Sequence, residues 1–250
     1  MKPPFVLLII ALALLSLESN AQKKIYHSNG FEFILSGADV RFNGVNVNTN
    51  MRFTLFLHTQ QHVNLDFNDR FGLFTGIGIR NVGFIVEDYY QNVGFSDIGP
   101  EHQHWNKNTK IKRRSYSMGF PLAFKIGSFD KHFFFFAGGE YEWMFHFKQK
   151  QFLDGNKVIF KEWNSNRVNR WIPSLFAGVQ LPQGFRLKFK YYMEDFLNPD
   201  FAGVDFGQPV DYSDFESTGM WYVSMAFFIN KKYLEKLRSG TAFEKSAYNY

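Results

Sequence analysis

The sequence predicts an all-β chain: an eight-stranded antiparallel transmembrane β-barrel preceded by a cleaved signal peptide. Three observations predict it. Aromatic residues make up 20% of the 250 residues, with 32 phenylalanines. Apolar and polar residues alternate with a period of two along several segments, which is the spacing of a strand with two different faces. The connections between those segments alternate between short turns and long polar loops, as in barrels that cross an outer membrane.

The N-terminus is expected to be a targeting device. Lys2 supplies a positive start, Phe5 to Leu17 is apolar, and Ser19-Asn20-Ala21 offers small residues at a cleavage site. The apolar run is too short to span a bilayer as a helix, so cleavage after Ala21 and export are predicted. The domain reading is then 1–21 signal peptide, 22–230 barrel and 231–250 a basic periplasmic tail.

The clearest strand is 184–198. Phe185, Leu187, Phe189, Tyr191 and Met193 share one face, and Arg186, Lys188, Lys190 and Glu194 share the other. Residues 218–230 repeat the scheme, with Phe228 alone interrupting the polar face. Residues 52–66 set His58, Gln60, His62, Asn64 and Asp66 against Phe53, Leu55, Leu57, Val63 and Leu65. Further candidates are 31–42, 70–87, 111–127, 132–148 and 168–181, which brings the count to eight. Short turns are expected at Asn68 to Arg70, Ser128 to Lys131 and Pro182 to Gly184. Long loops are expected at 88–110, 149–167 and 198–217, with Asn43 to Asn50 a shorter one on the same side. Pro121 and Pro173 fall inside predicted strands, where each removes a ladder donor, so a bulge is expected near each.

Two aromatic belts are predicted on the apolar face, where amphipathic rings settle at headgroup level. Trp143, Trp171 and Trp221 lie toward the long-loop ends, and Phe71, Phe133, Phe185 and Phe227 toward the short turns. The opposite face carries a lumen charge network of Glu32, Arg52, Arg80, Glu140, Glu142, Arg186, Lys188, Lys190 and Glu194, joined by Asp66, Arg113 and Lys125. Eight strands leave an interior only wide enough for side chains. Charges there must pair, because an unpaired buried ion costs several kcal/mol.

The stretch Tyr116-Ser117-Met118-Gly119-Phe120-Pro121-Leu122-Ala123-Phe124-Lys125, together with the signal peptide and aromatic strands, resembles the PorT-like outer-membrane β-barrel family. That resemblance implies the barrel fold. It also implies a place in the cell envelope, in some members as a component of the type IX protein-secretion apparatus.

Other chemistries find little footing. The chain has no cysteine, which excludes disulfide scaffolds, thiol catalysis and cysteine-ligated zinc. A net charge of +5 is too mild and dispersed for nucleic acid. His58, His62, Ser115 and Ser117 share the lumen face, so a serine–histidine–carboxylate site of a lipid-modifying barrel enzyme is conceivable, but no convergence on a nucleophile is visible. Glu101-His102-Gln103-His104 offers two imidazoles to a metal, short of the four ligands of a structural site. The expectation is a non-enzyme with no cofactor and no metal, in contact with outer-membrane lipid and with envelope or secretion-complex proteins. A narrow channel lined by the same charges is the alternative.

Overall fold

A computed structural model gives the structure of residues 24–54, 58–87, 109–153, 156–205 and 208–230. The expected signal peptide, the tail 231–250 and the loop holding Glu101 to His104 lie outside the described residues.

The strands run in chain order as β1 (Lys24–Phe42), β2 (Val45–Val47), β3 (Thr49–Asn50), β4 (Arg52–Thr54), β5 (Thr59–Asp66), β6 (Phe71–Glu87) and β7 (Thr109–Ser128). They continue as β8 (Phe133–Leu153), β9 (Asn156–Trp163), β10 (Trp171–Gln180), β11 (Phe185–Tyr192), β12 (Ala202–Asp205), β13 (Gln208–Asp211) and β14 (Phe215–Asn230). All ladders are antiparallel. The wall follows β1–β5–β6–β7–β8–β10–β11–β14 and returns to β1, with β4 continuing the β5 side of β1, so eight strands close a ring.

The faces are inverted relative to a soluble barrel. In β11 Phe185, Leu187, Phe189 and Tyr191 point outward and stay exposed, while Arg186, Lys188, Lys190 and Tyr192 are buried inside. The same holds around the wall, where Phe31, Phe33, Leu122, Phe124, Phe135, Leu175 and Met225 are all at least 40% exposed. A continuous exposed apolar band on a closed barrel is the surface of a protein that crosses a membrane with strands. From Phe133 to Trp143 the wall rises about 23 Å along the barrel axis for strands tilted near 45°, close to the ~25 Å apolar band of such barrels.

The short turns fall where expected. Asn68 Oδ1 accepts the amides of Arg70 and Phe71, each at 2.8 Å, and closes the β5–β6 turn. Gln183 and Gly184 take positive φ between β10 and β11. The long-loop side departs from expectation. Asn43 and Gly44, at φ 47° and 75°, make a two-residue turn after which β2 pairs back on β1. Asn-Gly is the pair that tolerates this geometry, so the expected loop is largely a hairpin. Much of 149–167 is also strand: β8 runs on to Leu153 and β9 pairs along it.

The proline expectation is corrected. The β7–β8 and β8–β10 registers run through Pro121 and Pro173 without a shift. At Pro121 the β6–β7 ladder drops two pairs yet keeps its register, and Pro173 sits just beyond the last β10–β11 pair, so neither needs an extra residue. The bulges occur higher up. Phe145 is inserted where Tyr116 pairs with His146 and Ser117 with Met144, and Glu216 is inserted opposite Arg41 and Phe42.

Candidate functional site

Inward-facing charges meet at mid-height. Arg80 of β6 reaches Glu32 of β1 at 3.0 Å through Nε, and Glu140 and Glu142 of β8 through Nη1, the latter at 3.3 Å. Lys188 of β11 pairs with Glu32 at 2.6 Å. Lys190 pairs with Glu140 at 2.7 Å and with Glu142. Three buried cations thus face three buried carboxylates: Arg80 and Lys190 each reach more than one of them, and Lys188 reaches Glu32.

Neutral donors complete the set. Ser224 donates to Glu32 at 2.5 Å, Gln60 Nε2 donates to the other oxygen of the same carboxylate, and Tyr192 donates to Glu142 at 3.1 Å. Saturation of this kind is what makes buried ions tolerable. Gly119 makes the room: a Cβ there would collide with the Glu140 carboxylate and the Arg80 guanidinium. Below Arg80 a cavity of about 10 Å³ lies between Gln60, His62, Phe136 and Arg186, the space of a single water.

Toward the short turns the lumen is aromatic. The His62 ring stacks between Phe74 and Phe228, with centroids at 4.7 and 4.9 Å. Arg186 lies 3.9 Å over Phe228 and 4.8 Å over Phe136, and its Nε donates to Gln180 at 3.0 Å. Phe228, the break in the polar face of β14, is therefore half of a ring stack. Lys125 pairs with Asp66 at 2.5 Å and donates to Asn64 and Tyr26.

Toward the long loops the interior is mainly apolar, with Arg113, Gln149, Gln151 and Arg167 buried among the apolar side chains. Val82, Phe84, Val86, Ile111, Met144, Phe147, Ile172 and Met220 face one another, and Phe196, Leu197, Tyr212 and Phe215 fold down onto them. Backbone bonds hold this plug: the Phe196 amide donates to the Thr218 carbonyl at 3.1 Å, and the Asn198 amide to the Arg167 carbonyl at 3.0 Å. The segment 198–217, expected as a polar loop, supplies part of the core.

Of the predicted network, Glu32, Arg80, Glu140, Glu142, Lys188 and Lys190 come together. Arg186 is buried with them but stacks on rings. Arg52 is buried apart from the carboxylates, donating to the Asn81 carbonyl at 3.0 Å and to its side chain. Arg113 is buried at the plug, 5.2 Å over Phe215. Glu194 is a correction: β11 ends at Tyr192, so the alternation stops there, and Glu194 is exposed.

The aromatic residues assigned to belts lie on the outer wall. Trp143 stacks on Trp171 at 6.1 Å, Trp221 lies over Phe189, Phe185 meets Phe227 at 5.3 Å, and Phe71 and Phe133 are exposed at the short-turn end. The serine and histidine candidates do not converge. Ser115 donates to the Tyr116 carbonyl, His58 Nδ1 lies 3.0 Å from the Glu32 carbonyl, and Ser117 Oγ has no hydrogen-bond partner among the described residues.

The plug residues were missed by sequence reasoning. The only signal for them was the density of Phe, Leu and Tyr inside a segment otherwise rich in Asp, Pro and Gly.

No family model and no curated protein matches the chain. Solved structures similar to it include the attachment invasion locus protein Ail of Yersinia pestis, determined in complex with the heparin analogue sucrose octasulfate. That match has 12% identity over 82% of this chain and 99% of that one, with a TM-score of 0.36. Neisserial surface protein A matches at 9% identity over 83% and 99%, with a TM-score of 0.40. The outer membrane protein OprG of Pseudomonas aeruginosa matches at 12% identity over 84% and 98%, with a TM-score of 0.35.

Proposed function

We propose that this chain is an integral protein of the bacterial outer membrane with a structural or assembly role in the envelope, and no catalytic one. The observation that carries the reading is a lumen filled along its length: a ring-stacked layer, a charge-balanced ion network and an apolar plug. A solute path needs a continuous open lining, and here the ion layer is closed off by the apolar plug above it and by the ring stack with its buried Arg186 and Lys125–Asp66 pair below. What remains available to a partner is the outer wall and the long-loop end. The PorT-like motif in β7 points to a secretion-apparatus component as the particular role, with the tail 231–250 as a periplasmic contact and residues 1–21 removed on export.

Two measurements test this. Planar-bilayer recordings of the purified full chain should show no steady conductance; a stable, ion-selective conductance would replace this reading with a channel. In intact cells, cysteine at exposed Asn164 on the long-loop side should label with an impermeant thiol reagent, and cysteine at exposed Asp130 on the short-turn side should not. The reverse labelling would overturn the orientation. Co-purification from native outer membrane would then identify the partner.

A further inference from the structure

Above the tryptophan belt, β7, β8 and β9 continue as a three-stranded ribbon whose two faces differ in kind. The inner face, with Ile111, Phe147 and Phe160, packs against the apolar plug. The outer face is built from cross-strand rows: Arg114–Lys148–Lys161, then Lys112–Lys150–Ile159, then Lys110–Phe152–Lys157. Among the described residues the one acid on this face is Glu87, which pairs with Lys110. Like charges directly opposite one another in a sheet cost stability, so packing does not account for the rows.

Their orientation depends on the Phe145 bulge. Straight alternation from Glu140 and Glu142 would turn Lys148 and Lys150 inward. The inserted residue reverses the parity, so both ammonium groups face outward. Immediately beneath lies an aromatic shelf, with His146 4.6 Å from the Trp163 ring and 5.8 Å from Tyr116. Trp163 is 69% exposed on the lipid-facing side. Rings of this kind settle at headgroup level, so the first basic row stands about 5 Å above the shelf, and lysine stems can snorkel to the same plane.

Among the described residues the face is confined to one sector of the long-loop end. Across the barrel, Arg41 is paired with Glu216 at 3.5 Å. At the short turns Asp69 adjoins Arg70 and Asp130 adjoins Lys131.

We propose that this ribbon face binds the phosphate groups of an anionic glycolipid in the outer leaflet. The inference rests on the membrane orientation proposed above. Charge complementarity, the height above the shelf and the sideways orientation toward lipid all favour a membrane-borne phosphate over a soluble polyanion, which would approach from the loop tips. Partial burial, and after it the surrounding cations, lower the proton affinity of Lys148 and Lys150; for both the neighbours include Arg114, Lys157 and Lys161. A phosphate seated between the rows would relieve that repulsion.

The test uses the full chain, first inserted into phosphatidylcholine vesicles and checked for the heat-modifiable migration of a folded barrel. It is then titrated in detergent with bis-phosphorylated, mono-phosphorylated and phosphate-free lipid A, with bound lipid counted by native mass spectrometry. Bis-phosphorylated lipid should bind tightest. The triple variant Lys148→Gln, Lys150→Gln, Lys161→Gln should weaken it on the order of 100-fold, while Arg41→Gln should leave it unchanged. Equal binding of phosphate-free lipid, or an unaffected triple variant, would overturn the inference and leave the barrel reading intact. Preferential binding of a soluble polysulfated sugar over lipid A would overturn it in favour of an extracellular polyanion. Failure of the wild type to insert into vesicles would remove the membrane reading, and this inference with it.

Discussion

The lumen at mid-height and the lumen under the long loops are a few residues apart on the same strands, yet they are stabilised by different physics. On β6, Arg80 gathers three carboxylates, while Val82, Phe84 and Val86 of the same strand pack into an apolar cluster. On β8, Glu140 and Glu142 belong to the ion cluster and Met144 and Phe147 to the core. The lower region depends on every charge keeping its partners, so a single deletion strands the others. The upper region depends on volume, so a deletion leaves a void that its neighbours can partly fill. The two should therefore fail differently.

The largest effect is expected from Arg80→Met. It removes one of three cations and leaves Glu32, Glu140 and Glu142 facing Lys188 and Lys190 alone. Breaking a buried ion cluster in this way costs about 4 kcal/mol, measured as a shift in urea unfolding from lipid vesicles. The comparison is sharpened by a second change: Arg80→Met combined with Glu140→Gln restores charge balance and should recover at least half of the loss. If it recovers nothing, the cluster is held by shape and the proposed contrast fails.

In the upper region Phe84→Ala should cost about 3 kcal/mol through lost burial and a cavity against Phe196, whose ring meets it edge-on at 5.7 Å. Here a compensating change of charge has no role, and Phe84→Leu should restore most of the stability. A Leu variant as weak as the Ala variant would mean that the plug is specified by ring geometry. Neither variant should open a conductance, because the ion layer beneath remains closed.

How much of this was legible in the sequence differs between the two regions. The charged layer was visible because Arg186, Lys188 and Lys190 alternate with Phe185, Leu187 and Phe189, so the period of two assigned both the strand and its inward face. The same alternation carried Glu32, Glu140 and Glu142 to that face. The apolar region was hidden because 82–86 is apolar on both faces except Gly83, and periodicity vanishes where both sides are covered. The plug was hidden for another reason: Phe196 and Leu197 are separated from Tyr212 and Phe215 by turn-forming residues, and they meet only in the folded core. Bulges were also illegible. The prolines flagged the wrong positions because a ladder can drop a hydrogen bond at proline without changing register, whereas the insertion at Phe145 has no residue signature of its own. Arg52 and Glu194 were misplaced by the same limitation, since parity reports a side and says nothing of height or of where a strand ends.

The smallest effect lies at the boundary between the two regions, where two tyrosines make a matched pair. Tyr192 and Tyr222 sit on the neighbouring strands β11 and β14, both buried, with ring centroids 6.2 Å apart. The Tyr192 hydroxyl donates to Glu142 at 3.1 Å, whereas the Tyr222 hydroxyl has no hydrogen-bond partner among the described residues. Deleting a hydroxyl that serves a carboxylate removes a charge-assisted bond and leaves an ion less satisfied, so Tyr192→Phe should cost about 2 kcal/mol. Deleting a buried hydroxyl with no bond among the described residues removes a desolvation penalty as well as an atom of packing, so Tyr222→Phe should change stability by less than about 0.5 kcal/mol, in either direction. Both variants keep ring, volume and position, and the difference between them isolates the reach of the ion layer. A loss at Tyr222→Phe equal to that at Tyr192→Phe would place Tyr222 inside the ionic network and move the boundary up by one row. Equal and negligible losses would mean that Glu142 is satisfied by Arg80 and Lys190 alone, and that the tyrosines belong to the packed region above.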